Sequence, residues 1–340
     1  MKIAIYNRAN TFSERWIAYC KRNGIEYKEV NPYTNDIVEQ VMDCDGFMWH
    51  CSHLSYKDAL FAKQLLYSIE ESGKKVFPNS KSVWHFDDKV GQKYLLEAIN
   101  APLVKSYVFY TKKEAKAWVE KSTFPKVFKL RGGAGSQNVM LVHNRKDAKK
   151  LVDIAFGKGF SQYNSWSNLK ERIRKYRLEK TDIKDVLKGI ARFFVKPEYA
   201  QMHGKDKGYV YFQDFIPNNT FDIRIIVVGD KAFGIKRLCR ESDFRASGSG
   251  VLVYEKNQID ERCVRIAFEQ SEKIGSQSMG YDFVFDENNN PLIVEMCYCY
   301  VAAVYDKCMG YWNKNMVWHP GKKFDFCGWM VENIIKEIER

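Results

Sequence analysis

The sequence lacks any run of about 18 consecutive apolar residues, so nothing in its 340 residues reads as a membrane-spanning helix. It has no Gly-x-Gly-x-x-Gly fingerprint after a strand, and no Gly-Lys-Ser/Thr follows its glycine-rich loop. A dinucleotide-binding site and a Walker-type phosphate loop are therefore not indicated. Its nine cysteines are odd in number and scattered without paired metal-ligand spacings. Reduced thiols in a cytoplasmic protein are the plain reading. There are no internal repeats and no low-complexity tracts. The opening Met1–Tyr6 has no charged region followed by a long apolar one, and reads as a first β-strand rather than a signal peptide.

What is present is a globular composition, 45% hydrophobic, with a net charge of +12. Between Gly157 and Gly208 stand thirteen Lys and Arg against six Asp and Glu, so +7 of the +12 lies in this stretch. A basic segment of this kind can face water, RNA, an anionic membrane or an anionic substrate.

Patterning divides the chain. Ile3–Tyr6, Ile25–Val30, Gly46–Cys51 and Lys75–Phe77 read as strands. They alternate with helices, one opened by Thr11 and Glu14 and one over Lys57–Ser72, which makes a small parallel βαβ sheet. Asp87–Asn100 reads as a helix ending before Pro102, and Thr111 with Glu114 caps another. Two strands surround a glycine loop between about Phe124 and Val142. Helical patterns cover Leu169–Tyr176 and Ile183–Phe193 in the basic stretch. From Tyr209 strands dominate, interrupted by a helix over Asp260–Ser276 and closed by one over Asp325–Glu339. The aromatic segment Gly310–Gly321 is expected as an irregular cover over the sheet.

Three local constellations carry chemistry. The hairpin Tyr281–Met296, with Glu287–Asn290 as its turn, sets Asp286 against Pro291 and hence Asp282 against Glu295. Asp282, Val284, Ile293, Glu295 and Cys297 then share a face. Opposed like charges repel at such a separation, so a cation between the carboxylates is one resolution and a solvent-facing pair is the other. Mg²⁺ suits, taking one or two carboxylates plus waters and phosphate oxygens. Second, Lys129 precedes a loop holding Gly132, Gly133, Gly135 and Ser136, which can wrap backbone N–H groups around phosphates or serve as a plain hairpin turn. Third, the turn at Gly229-Asp230 pairs Asp222 with Arg237 and sets Arg224 on the same face. Arg245 follows, beside a Gly/Ser loop.

In their order along the chain these motifs resemble the ATP-grasp superfamily, most closely its glutamate-adding carboxylate–amine ligases of the ribosomal protein modification type. The likeness covers roughly Ser82 to Tyr300. It implies an α/β protein, α+β in its C-terminal half, with an ATP-grasp fold preceded by a small βαβ parallel-sheet domain. The expected units are 1–81, then 82–210 with the basic helical insert at about 157–208, then 211–340. By the resemblance, Lys89 and Lys129 contact nucleotide phosphates, and Gln213, Asp214, Phe215 and Ile216 form the hinge that holds adenine. Asp222, Lys236 and Ser247 join the ATP contacts, Arg245 and Arg224 are catalytic, and Asp282 and Glu295 are magnesium ligands. The family's third metal ligand, an asparagine, is replaced here by Cys297, a poor partner for hard Mg²⁺.

The implied activity uses ATP and Mg²⁺, with Mn²⁺ as a substitute, to join a small-molecule or peptide carboxylate to an amine through an acyl phosphate. A metabolite, a peptide and a cell-surface polysaccharide precursor are all open as substrates, and nucleic acid is disfavoured. The alternatives are an ATP-grasp phosphotransferase on an anionic small molecule and a non-catalytic nucleotide- or anion-binding protein. His50 and His53 follow an apolar strand at a domain edge, within reach of a substrate, and are expected in a loop or core.

Overall fold

The computed structural model describes the chain except residues 54, 134–137, 162, 164, 178–180, 194, 196–197, 203, 240–244 and 247–250, and except the side chains of 167, 171, 174, 175, 199 and 200. Its first unit runs β1 (Lys2–Ile5), α1 (Phe12–Asn23), β2 (Glu26–Glu29), α2 (Ile37–Met42), β3 (Gly46–Met48), α3 (Tyr56–Glu71) and β4 (Lys75–Phe77). The strands form a parallel sheet in the order β2-β1-β3-β4. Thr11 caps α1, accepting from the Ser13 N–H, while the Glu14 carboxylate reaches back to the Asn10 N–H at 2.7 Å. Gly24, at φ +66°, ends it in the left-handed conformation that glycine adopts at no steric cost.

Helices α4 (Ser80–Val83) and α5 (Lys89–Ala98) lead into β5 (Ser106–Phe109), α6 (Lys112–Lys121), β6 (Lys126–Lys129), β7 (Val139–Val142) and α7 (Arg145–Ala155). The basic insert follows as β8 (Phe160–Ser161), α8 (Ser165–Arg177), α9 (Ile183–Ala191), α10 (Glu198–Met202) and β9 (Lys205–Asp206). Strand β10 (Val210–Asp214) then enters between β5 and β6, giving an antiparallel sheet in the order β5-β10-β6-β7. Period-two alternation sorts its faces. Phe128, Leu130, Val210 and Phe212 pack under α6 and α7 in one core, and Val127, Lys129 and Gln213 look the other way.

The last unit holds β11 (Phe221–Val228), β12 (Lys231–Leu238), β13 (Leu252–Val253), α11 (Glu261–Ile274), β14 (Ser278–Phe285), β15 (Pro291–Cys297), β16 (Gly310–Asn313), β17 (Trp318–Pro320) and α12 (Phe326–Ile338). The sheet order is β15-β14-β11-β12-β16-β17, with β13 also pairing β12. On β11, Ile223, Ile225 and Val227 pack with α11 residues in one core. Ile226 and Val228 pack with α12 residues in another. Asp222 and Arg224 stand on the second of these faces, where it opens into a cavity.

Two expectations change here. The segment Gly310–Gly321 is no irregular cover: it forms the hairpin β16–β17, which extends the sheet through Lys231–Asn313 and Ala232–Trp312 pairs. The turn before β15 is also longer than expected. Phe285, not Asp286, faces Pro291, because Asp286 closes the turn by accepting from the Asn288 and Asn290 N–H groups at 2.9 and 2.7 Å. Ile293 therefore pairs with Phe283 in the core and does not share the carboxylate face. A bulge that begins between Asp282 and Phe283 then shifts the register by one, and Asp282 falls opposite Glu295 after all.

Candidate functional site

The sheets β5-β10-β6-β7 and β15-β14-β11-β12 close on one cavity of about 490 Å³, whose third side is built by the first unit. At its centre Asp282 is clasped by two guanidinium groups. Arg224, opposite it on β11, forms a two-pronged ion pair with it, and Arg237 reaches it at 2.8 Å while also gripping Asp222 with paired bonds of 2.6 Å. Burial opposes charge on Asp282, yet the two arginines outweigh it and bring its pKa down to about 2. Glu295 stands across from it with a different partner, the Lys89 ammonium at 3.3 Å. Burial again works against the charge, and Lys89 and Lys129 hold Glu295 below the usual carboxylate range.

Lys89 opens α5, and its N–H donates to the Arg131 carbonyl at 2.9 Å. Its ammonium donates to the Gly133 carbonyl at 2.7 Å, and the Gly133 N–H donates to Asp87 at 2.7 Å. The helix start and the glycine loop are thus one unit, with Gly133 at φ +101°. Gly132 is buried behind it. Lys129 lies on the cavity wall, 5% exposed, and burial pulls its pKa down to about 8 against the attraction of Glu295. Gly135, Ser136 and Ser247 lie outside the described residues.

The β10 end supplies Gln213, Asp214, Phe215 and Ile216, flanked by Val104 and Val127. Gln213 donates to the Ser106 hydroxyl at 3.1 Å, and Asp214 is bound by Lys126 at 2.6 Å. This end is largely apolar. Arg245 and Ala246 line the cavity as well. Lys236 departs from its expected place: it pairs with Ile223, on the sheet face opposite Asp222 and Arg224. Its ammonium lies 3.1 Å from the Gln258 side-chain oxygen and 4.0 Å over the Phe221 ring. Two-residue alternation along β12 gives the reason, since Arg237 takes the cavity face.

The residue patterns point to the third side only through His50 and His53. Asn10, Thr11, Ser52 and His53 come from loops of the first unit, and His50 from the end of β3's chain. His53 bridges Asp87 and Cys297, with 3.2 Å on either side, and His50 lies 3.3 Å from the Cys299 sulfur. His50 is also stacked on Phe12 at 3.8 Å, and burial, with Arg8 and His53 adding to it, lowers its pKa to about 3. Both histidines thus belong to loop and core, and both also line the cavity. The only sequence signal for this was an apolar strand ending in two histidines.

Asp282 and Glu295 have the donor chemistry magnesium takes, hard carboxylate oxygens at directly opposed positions, and in this structure Arg224 and Arg237 occupy the Asp282 oxygens while Lys89 faces Glu295. Cys297 adds no third hard donor, because its sulfur is engaged by His53 and by the Cys299 backbone at 3.3 Å.

Two antiparallel sheets closing on a cavity lined by cations are the arrangement of the ATP-grasp fold, and this chain has that fold. Residues 195–308 match the RimK-like ATP-grasp domain. The alpha-aminoadipate–LysW ligase LysX of Saccharolobus solfataricus is 23% identical over 276 residues, spanning 79% of this chain and 82% of that protein. Among solved structures, the RimK domain protein ATP-grasp from Sphaerobacter thermophilus superposes with TM-score 0.57 at 13% identity, covering 98% of this chain and 100% of its own. D-alanine–D-alanine ligase from Bacillus anthracis gives 0.59 at 12% identity, with 100% and 99% covered. At these identities the superpositions speak for the fold.

Proposed function

We propose that this protein is an ATP- and magnesium-dependent carboxylate–amine ligase that works through an acyl phosphate. One observation carries the reading: Asp282 and Glu295 face each other inside a cavity that also holds Lys129, Arg224, Arg237 and Arg245. The apolar end at Phe215 and Ile216 suits adenine, with the backbone of Asp214 and Phe215 beside its ring edge. The cationic middle suits a triphosphate, with Lys89, Lys129, Gly132 and Gly133 toward its phosphates. The side built by Asn10, Ser52 and His53 is left for the carboxylate and amine.

In the reaction, an oxygen of the substrate carboxylate attacks the γ-phosphorus and ADP departs. The amine then attacks the acyl carbon, inorganic phosphate leaves, and the amine gives up a proton. Positioning and charge neutralisation are the protein's share. Arg245 neutralises charge at the transferring phosphoryl group. Arg224 and Arg237 fix Asp282, and Asp222 fixes Arg237. Magnesium, when bound, neutralises the triphosphate, and Asp282 with Glu295 would hold it; Mn²⁺ has the same preference for oxygen donors.

The test is an ADP-release screen with Mg·ATP against pools of carboxylates and amines, with mass spectrometry of the products. A new amide supports the ligase. A phosphate ester would instead make this a phosphotransferase, and absence of ADP under every acceptor pair would make it a binding protein.

A further inference from the structure

The basic insert carries a surface that the catalytic reading does not use. Helices α8 and α9 lie against each other, close enough that a Cβ added at Gly189 would meet the Leu169 and Arg172 side chains at 3.0 and 2.8 Å. On α9 the inner side is taken by Asp185, Val186 and Gly189. The outer side carries Ile183, Leu187 and Ile190, which are 51%, 56% and 46% exposed. At 100° per residue these three fall within an arc of about 60°. Further exposed apolar groups adjoin in the same insert. Trp166 is 65% exposed and packs edge-on against Phe193 at 5.1 Å, and Val195 is 63% exposed.

Charge on this helix is also sorted. Its acids are consumed internally: Asp182 caps the N-terminus by accepting from the Asp185 N–H at 3.0 Å, and Asp185 is paired with Arg172 of α8. Its lysines, Lys184 and Lys188, are exposed beside the apolar arc. An apolar stripe flanked by lysine, on an insert with a +7 excess, is the pattern of a helix that lies in the plane of an anionic bilayer. A stripe on the outer face of a single helix is convex. A fluid surface can accept a convex helix without shape matching, supplying hydrocarbon to Ile183, Leu187 and Ile190 and anionic headgroups to the lysines. A rigid acidic polypeptide would need a fitted counter-surface for the stripe.

We propose that α9, with Trp166 and Phe193 beside it, is a peripheral docking surface for an anionic lipid bilayer. The inference is independent of the ligase reading, because none of these residues lines the cavity.

The experiment sediments the full chain with vesicles of phosphatidylcholine mixed with phosphatidylserine, and with phosphatidylcholine alone. Wild type is expected to pellet with the anionic vesicles and to be released by added salt. The triple variant Ile183→Glu, Leu187→Glu, Ile190→Glu should lose roughly tenfold or more in vesicle affinity. Lys184→Glu with Lys188→Glu should remove the preference for phosphatidylserine. All five positions are exposed, and circular dichroism checks that the variants keep their helix content. Wild type remaining in the supernatant with anionic vesicles would overturn the proposal, as would a triple variant that binds like wild type. Retention on immobilised polyglutamate without vesicle binding would overturn it in favour of an acidic polypeptide partner.

Discussion

Asp282 and Glu295 are opposed across one strand pair, yet the groups that neutralise them differ, and so do the consequences of removing them. Asp282 is held by Arg224 and Arg237, whose pKa values rise because its charge helps outweigh the cost of burying them, while Glu295 faces Lys89. Glu295→Ala is expected to abolish Mg·ATP turnover while the circular dichroism spectrum shows the fold retained; undiminished ADP production would refute the metal role. Asp282→Ala should lower stability by about 3–5 kcal/mol, because it strands the Arg224 guanidinium and leaves Arg237 with Asp222 alone, which urea denaturation would measure. His53 gives a pH signature. Burial disfavours its proton, but Cys297 and Asp87 outweigh burial and hold its pKa up to about 10 from the ordinary 6.5. The folded state therefore binds this proton more tightly than the unfolded one. The resulting stabilisation is complete below about 6.5 and is lost as pH rises through about 10. The difference in melting temperature between wild type and His53→Gln should shrink steadily over that window, and a constant difference would contradict the bridge.

At the scale of elements, the carboxylate pair depends on a turn and a bulge. Asp286 accepts two backbone N–H groups and the Asn290 side-chain amide at 3.1 Å, which fixes a five-residue connection. Asp286→Ala should lower stability by removing these turn bonds and, by loosening the register, should lower turnover by more than its effect on stability accounts for; kcat and urea midpoint measured together would separate the two. This hairpin also shows how far residue patterns reach. Strands β11 and β12 pair Asp222 with Arg237 as expected, since the Gly229-Asp230 turn fixes their register. The Asp282–Glu295 pairing was legible only because a one-residue error in the turn is cancelled by a bulge, which leaves no mark in periodicity. Helix α7 went unread although Asn144 caps it and accepts from the Asp147 N–H at 2.9 Å. Strands β16 and β17 are too short and aromatic to show a period. The contact of His53 with Cys297, 244 residues away, has no local trace at all.

At the scale of the molecule, the cores do not follow the chain's order. One joins Phe47, Trp49 and Leu66 of the first unit to Val264 of α11 and Tyr281 of β14. Another joins Ile3, Ile5 and Trp16 to Ile226 and Phe233 of the last sheet through Met330, Val331 and Ile334 of α12. The sheet of β6 and β10 keeps a core of its own with α6 and α7. The first and last units should therefore unfold together, and the middle one separately. Ile334 is 1% exposed, between the first unit and the last sheet. Ile334→Ala is expected to cost about 2–5 kcal/mol and to accelerate amide exchange in β1, β3, β11 and β12 alike. Peptides from β6 and α7 should keep their protection. Val152→Ala in α7 should do the reverse. Exchange that rises equally everywhere in both variants would show a single cooperative unit, and the cavity between the two bodies would then lose the independent motion this division of cores provides.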